Sequence, residues 1–215
     1  MDIEFFGANC FRIKTKKATL IIDDNLSTVG SKSITKPDNV ALVSSSSVDA
    51  SESSSKARLT LDSAGEFEVG DISVTAIQTR SHMDEEGSET ANVYQCMFGG
   101  SSVTILGHIH PDFSDDVLEL AGGTDVLIVP VGGNGYTLDS VGAVSAIKKI
   151  EPDVVIPAYY DVADLKLEVP AAPLEDFIKV SALTGEEPLD VLKVGKVTAE
   201  QTGQTKLVIL NTKKA

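Results

Sequence analysis

The feature that most constrains what this chain can fold into is a change of hydrophobic period near its midpoint. From Ile3 to Leu106, short apolar runs are closed by glycine or brief polar turns, the pattern of paired strands. After Leu106, equally short Val, Ile and Leu runs alternate with segments of helical length. Strand pairs followed by alternating strands and helices predict an α/β domain with two sheets. No linker of low hydrophobicity separates the halves, so residues 1–215 are read as a single domain.

In the first half, Ile3 to Ile13 is broken by a bulge or tight turn at Gly7-Ala8-Asn9. A polar turn, Lys14 to Lys17, leads into a second strand, Ala18 to Ile22, to make a hairpin. Leu26 to Asn39 reads as loop and Val40 to Val43 as a buried strand. The serine-rich run Ser51 to Lys56 is either a mobile loop or the exposed start of a short helix. Further strands are expected over Ala57–Leu61, Glu66–Val69, Ile72–Gln78, Asn92–Phe98 and Ser102–Leu106. In the second half, helices are expected from Ser114 to Gly122, from Asp139 to about Ile150, and over Leu174–Leu183. Strands are expected over Asp125–Val131, Asp153–Pro157, Lys193–Thr198 and Lys206–Leu210.

Charge narrows the function. The chain carries 18 basic and 32 acidic residues, a formal net charge of −14. Such a surface repels phosphate backbones and anionic lipid, so neither nucleic acid nor membrane is expected as a partner. No cluster of Lys and Arg stands out along the sequence. Cys10 and Cys96 lie far apart, in no metal-type spacing, and read as buried small hydrophobes. No signal peptide precedes the first strand and no apolar run is long enough to span a bilayer, so a cytoplasmic protein is expected.

The candidate chemistry lies at strand ends. Val40 to Val43 runs into Ser44-Ser45-Ser46-Ser47-Val48-Asp49-Ala50. Other strands end near His82, His108 and Tyr159. Neutral imidazoles at strand ends suit zinc, iron or manganese, although a lone histidine is more often a hydrogen-bonded structural residue. His110 reads as exposed or as a support to its neighbours. Gly132-Gly133-Asn134-Gly135 lacks the Lys-Ser/Thr pair of a phosphate loop and reads as a tight turn. A serine nucleophile among Ser44 to Ser47 lacks a Gly-x-Ser-x-Gly elbow and needs a histidine within hydrogen-bond reach.

The order of motifs resembles the metallo-β-lactamase fold superfamily, in particular small bacterial zinc-dependent hydrolases related to ascorbate-6-phosphate lactonase. Phe6-Gly7-Ala8-Asn9-Cys10-Phe11 is similar to the family's Gly-His-Ser-Cys-Phe opening, and Ile21-Ile22-Asp23-Asp24 to its Ile-Asp-Pro turn. Gly65 to Gly70, Leu106-Gly107-His108, Val129 to Gly133 and Ile156-Pro157-Ala158-Tyr159-Tyr160 follow in family order. The resemblance implies a four-layer αββα sandwich, two mixed or mainly antiparallel sheets flanked by helices.

In that family a His-x-His-x-Asp-His loop, a middle His, a bridging Asp and a late His hold two metal ions that activate water. Carried onto this chain, the loop falls on Ser45, Ser47, Asp49 and Ala50, and the middle His on His82. The bridging Asp falls on His108 and the late His on Tyr159. Asp49 and His82 alone keep the family's residue type, too few for two ions. The resemblance therefore implies a hydrolase-like protein without dinuclear activity or cofactor, serving in small-ligand binding or homo-oligomeric assembly. The alternative is a mononuclear hydrolase with one zinc, manganese or iron ion on Asp49, His82 and His108, where Tyr159 adds a phenolate or a proton donor. A metal-free serine hydrolase using Ser45 or Ser47 with His82 is the third reading.

Overall fold

The computed structural model describes residues 1–185, 187–197 and 204–214. The first half contributes β1 (Asp2–Gly7), β2 (Cys10–Lys14), β3 (Thr19–Ile22), β4 (Val40–Leu42), α1 (Ser51–Lys56), β5 (Leu59–Leu61), β6 (Gly65–Val69), β7 (Ile72–Thr79), β8 (Ala91–Phe98) and β9 (Ser101–Ile105). The second half contributes α2 (Asp115–Ala121), β10 (Val126–Pro130), α3 (Ser140–Ile150), β11 (Val154–Ala158), α4 (Leu174–Ser181), β12 (Leu192–Lys193), α5 (Val194–Val197) and β13 (Lys206–Leu207).

These strands form two sheets, ordered β12-β1-β2-β3-β4-β5 and β13-β11-β10-β9-β8-β7-β6. The change of period has a direct structural meaning. Hairpins make β1-β2-β3 and β6-β7-β8-β9 antiparallel, whereas β9-β10-β11 are parallel because helices supply the crossovers. Every residue of β10 and β11 is buried, as expected of parallel strands covered on both faces. The edge strand β6 instead alternates between exposed and partly covered positions. One buried cluster joins Phe5, Phe11 and Leu42 of the first sheet to Val93, Ile105 and Ile128 of the second. The first sheet's other face carries a smaller cluster of Phe6, Cys10, Ile21, Leu26 and Val29. Both cysteines are free and buried.

Local chemistry sets several boundaries. Asp139 caps α3 by accepting from the Gly142 amide at 2.7 Å. At the other end of α3, Glu151 takes the left-handed conformation that terminates the helix. Ser51 to Lys56 is a complete short helix in which Ser53 is buried and bonded to Thr35 at 2.7 Å. Of the two readings of that run, the short helix is the one formed, with Ser53 buried rather than exposed. The strand expected over Lys193–Thr198 is corrected: only Leu192–Lys193 pairs, with β1, and Val194–Val197 is helical. Thr198 lies outside the described residues. The strand expected over Lys206–Leu210 shortens to Lys206–Leu207, and Leu210 instead bridges to Leu189. Among the described residues no helix is long and apolar enough to cross a membrane.

Candidate functional site

The loops that follow β3, β4, β7, β9, β10 and β11 meet at one edge of the sandwich. At their centre is Asp23, which closes β3, is 1% exposed and holds a left-handed backbone with φ of 44°. Its Oδ1 accepts the Ser44 amide at 2.7 Å. Its Oδ2 accepts the Ser44 hydroxyl at 2.5 Å and the Asn9 side-chain amide at 2.6 Å. The carboxylate thus ties the β1–β2 turn to the ends of β3 and β4. Asp24 faces elsewhere, and its Oδ2 orders the following loop by accepting from the Ile34 and Thr35 amides and from the Ser33 and Thr35 hydroxyls.

His108 follows β9 and is 2% exposed. Its ring lies edge-on to Tyr136, with centroids 4.5 Å apart, and 5.5 Å from Tyr159. Tyr136 and Tyr159 lie 5.2 Å apart, completing an aromatic trio. The Tyr136 hydroxyl donates to the Ser47 carbonyl at 3.1 Å, so the trio also fastens the serine loop. Burial holds the Tyr159 phenol well above its ordinary range, and the hydroxyl donates to the Val169 carbonyl at 3.0 Å. A protonated, engaged phenol does not supply the phenolate considered above.

His82 is half-buried, and its amide donates to the His108 carbonyl at 2.8 Å. Its ring lies 5.9 Å from that of His110. Ser45 is buried, and its hydroxyl shares hydrogen bonds with Ser47 at 2.9 Å and Ser81 at 3.4 Å. Among the described residues no hydrogen bond joins Ser45 or Ser47 to a histidine ring. Asp49 is exposed and accepts the Ser51 amide at 3.2 Å, and Ala50 presents only a methyl group. His82 and His108 are therefore neighbours through their loops, but Asp49 does not converge on the buried His108. Among the described residues no three His, Cys, Asp or Glu side chains are placed to hold a metal ion. A metal site normally takes three or more protein donors, and of the family positions Ser45 and Ser47 offer hydroxyls and Ala50 a methyl group.

The glycine-rich segment after β10 is a tight turn. The Gly133 amide is already engaged by the Leu138 carbonyl at 3.0 Å and the Thr137 hydroxyl at 3.1 Å, so it is not free for a phosphate. The residue-by-residue reading missed Asn9, Ser81 and Tyr136, and it treated Asp23 only as part of a turn. The available signal for Asp23 was a carboxylate directly after the apolar run Leu20-Ile21-Ile22. Asn9 and Tyr136 carry no local signal, because their partners come from distant loops.

Burial lowers the affinity of both His108 and His82 for a proton. For His82, hydrogen bonds to its own backbone and to Gly135 oppose the shift, as does the charge of Asp139, while His110 adds to it. For His108, Asp23 is the main opposing group. A folded-state value below the unfolded one means that the unfolded chain binds protons first. Stability is then full above about pH 6.5 and falls as pH drops below it. Glu4 and Asp84 are lowered from 4.5 and 3.8, so their contributions are lost only at more acid pH. Thermal unfolding followed from about pH 7.5 to about pH 5.5 should show a falling midpoint, with a shallower slope in His108→Gln.

Two stacked mixed sheets with helices, and a cluster of strand-end loops at one edge, define the metallo-β-lactamase sandwich. The chain belongs to this superfamily: residues 2–159 match the model of the beta-lactamase superfamily domain. The fold is shared with a Thermotoga maritima protein described as a candidate Zn-dependent hydrolase of the metallo-beta-lactamase superfamily, at a TM-score of 0.70, 21% identity and 97% of each chain. It is shared with a metallo hydrolase from Ignicoccus hospitalis at a TM-score of 0.63 and 15% identity, over 98% of this chain and 95% of that one. An isothiocyanate hydrolase from Delia radicum gut bacteria matches 99% of this chain and 97% of its own, with a TM-score of 0.60 and 9% identity. At these identities the likeness is one of fold.

Proposed function

We propose that this chain is a metallo-β-lactamase-fold protein that has lost the dinuclear centre and binds a small polar ligand at the vacated loop. The observation that carries this reading is the state of the serine loop. Ser45 and Ser47 bond each other, Asp49 is exposed and Ala50 is apolar, so the loop offers hydroxyls rather than imidazoles. A neutral hydroxyl is a poor ligand for zinc, but it donates and accepts hydrogen bonds freely.

Beside this loop lies a cavity of about 620 Å³, lined by Ser45, Ser47, Ser54, Gln78 and Asn92 together with the carboxylates of Asp49, Asp62 and Glu89. Its lining contains no Lys or Arg. That chemistry favours a neutral or cationic ligand rich in hydroxyl or amino groups and disfavours an anion. Asp49 thereby keeps a role as a ligand-facing acceptor rather than as a metal donor.

Metal analysis of protein purified without chelator is the decisive experiment. The expected result is a substoichiometric metal content, unchanged in His82→Ala, with no metal-dependent lactonase or esterase turnover. Stoichiometric zinc, manganese or iron that disappears in His82→Ala would overturn the proposal. Turnover in metal-free protein that is abolished in Ser45→Ala would overturn it in favour of serine chemistry. For the ligand, titration with polyols and polyamines followed by thermal unfolding should raise the midpoint in the native protein and not in Asp62→Asn/Glu89→Gln.

A further inference from the structure

The opposite end of the first sheet has the reverse electrostatic character. β3, β4 and β5 run parallel, so while their ends reach the site above, their beginnings lie together at the far edge. There the β2–β3 turn, the segment before β4 and the start of β5 enclose a groove of about 420 Å³. Arg12, Lys14, Lys16, Lys17, Lys36 and Arg58 line it, against a single acid, Asp38. One-third of the chain's 18 basic residues therefore face one groove, together with one of its 32 acids.

Most of this charge is uncompensated. Arg12 is paired with Glu4 at 2.6 Å. Among the described residues, the side chains of Lys14, Lys16, Lys17, Lys36 and Arg58 form no ion pair, and all five are exposed. Gathering unpaired cations raises their mutual repulsion, a cost that a bound anion removes. Ile34, Val40 and Val69 supply an apolar part of the same lining. The groove's size suits a small molecule. A long polyanion leaving the groove would meet a surface whose overall balance is −14, which selects for a compact one.

We propose that this groove binds a compact polyanion, a small molecule bearing two or more linked phosphates. The shared chemistry is the phosphate chain, whether inorganic or part of a nucleotide. Lys36 and Arg58 would clasp it from the β4–β5 side, and Lys16 and Lys17 from the hairpin turn.

Calorimetric titration of the full chain with inorganic tripolyphosphate tests this. Saturable binding is expected, weakened about tenfold or more in Lys36→Gln/Arg58→Gln and likewise in Lys16→Gln/Lys17→Gln. Affinity should fall as sodium chloride rises from about 20 mM to about 200 mM. A parallel titration with ATP separates the sources. Equal affinity supports phosphate-chain recognition alone, and tighter ATP binding supports a nucleotide whose base uses the apolar lining. Absence of tripolyphosphate binding, binding unchanged in both double variants, or binding confined to a long oligodeoxynucleotide would each overturn the proposal. All four substituted side chains are exposed, so the variants should keep the native unfolding midpoint, and circular dichroism checks this directly. Since this groove and the serine-lined cavity share no residue, the outcome is independent of the function proposed for the cavity.

Discussion

Asp23→Ala should destabilise the protein by about 3 kcal/mol or more, the largest effect expected of any single side-chain truncation at the site. The substitution leaves the Ser44 amide, the Ser44 hydroxyl and the Asn9 amide without their acceptor, all in a buried environment. Each stranded donor costs about 1–3 kcal/mol, reduced where water enters the space left by the carboxylate. For a domain of this size the unfolding midpoint should fall by roughly 2–4 °C per kcal/mol. Asp23→Asn should fall between wild type and alanine. Its single carbonyl oxygen can still accept the Ser44 amide, but its NH2 group then faces the Asn9 amide as a second donor. Chemical denaturation of the three proteins checks the order. Equal stability of Asp23→Ala and wild type would show that the network holds no loop in place.

Gly132→Ala should be about as damaging, for a steric reason. A Cβ at this position would lie 2.0 Å from the Tyr159 carbonyl oxygen and 2.7 Å from the Ala171 methyl. The first contact is with backbone, which cannot rotate away. The Tyr159 amide also donates to the Ala8 carbonyl at 2.7 Å, so moving Tyr159 disturbs the β1–β2 turn as well. An overpacked buried site costs about 1–3 kcal/mol, and a backbone collision belongs at or above the upper end of that range. The aromatic trio should loosen in parallel, because Tyr159 stacks near His108 and Tyr136. Denaturant unfolding together with near-ultraviolet circular dichroism measures both effects. Gly107 makes a similar close approach, since a Cβ there would meet the Ser44 Cβ at 2.4 Å, and its φ of 60° disfavours any side chain.

These two positions show how much was legible beforehand. Gly132 and Asp23 both sit at strand ends visible in the hydrophobic pattern, and both fall within motifs that resemble the superfamily. What each one touches was not legible, because Ser44 lies 21 residues from Asp23 and Tyr159 comes from a different strand. Ser45, Ser47, His82, His108 and Tyr159 lie at or near the same edge. The grouping of Asp49 with His82 and His108 was a sequence-level possibility that depended on side-chain direction. A loop backbone sets that direction, and here it leaves Asp49 exposed and bonded to Ser51.

The same division runs through the whole molecule. Period and turn chemistry determine most of the strands and the α/β class, because each depends on residues close along the chain, whereas the superfamily is legible only in motifs that resemble its own. For α1 the sequence left loop and helix both open, since its serines carry no apolar face, and the contact of Ser53 with Thr35 is tertiary. Charge behaves in the opposite way. The sequence by itself determined an acidic protein with no conspicuous basic cluster. Only the tertiary structure decided that the hairpin lysines, Lys36 and Arg58 share one groove, because parallel pairing of β3, β4 and β5 stacks their starting points. Electrostatic and hydrogen-bonding sites depend on distance in space, and that distance is set by strand pairing between segments the sequence keeps far apart.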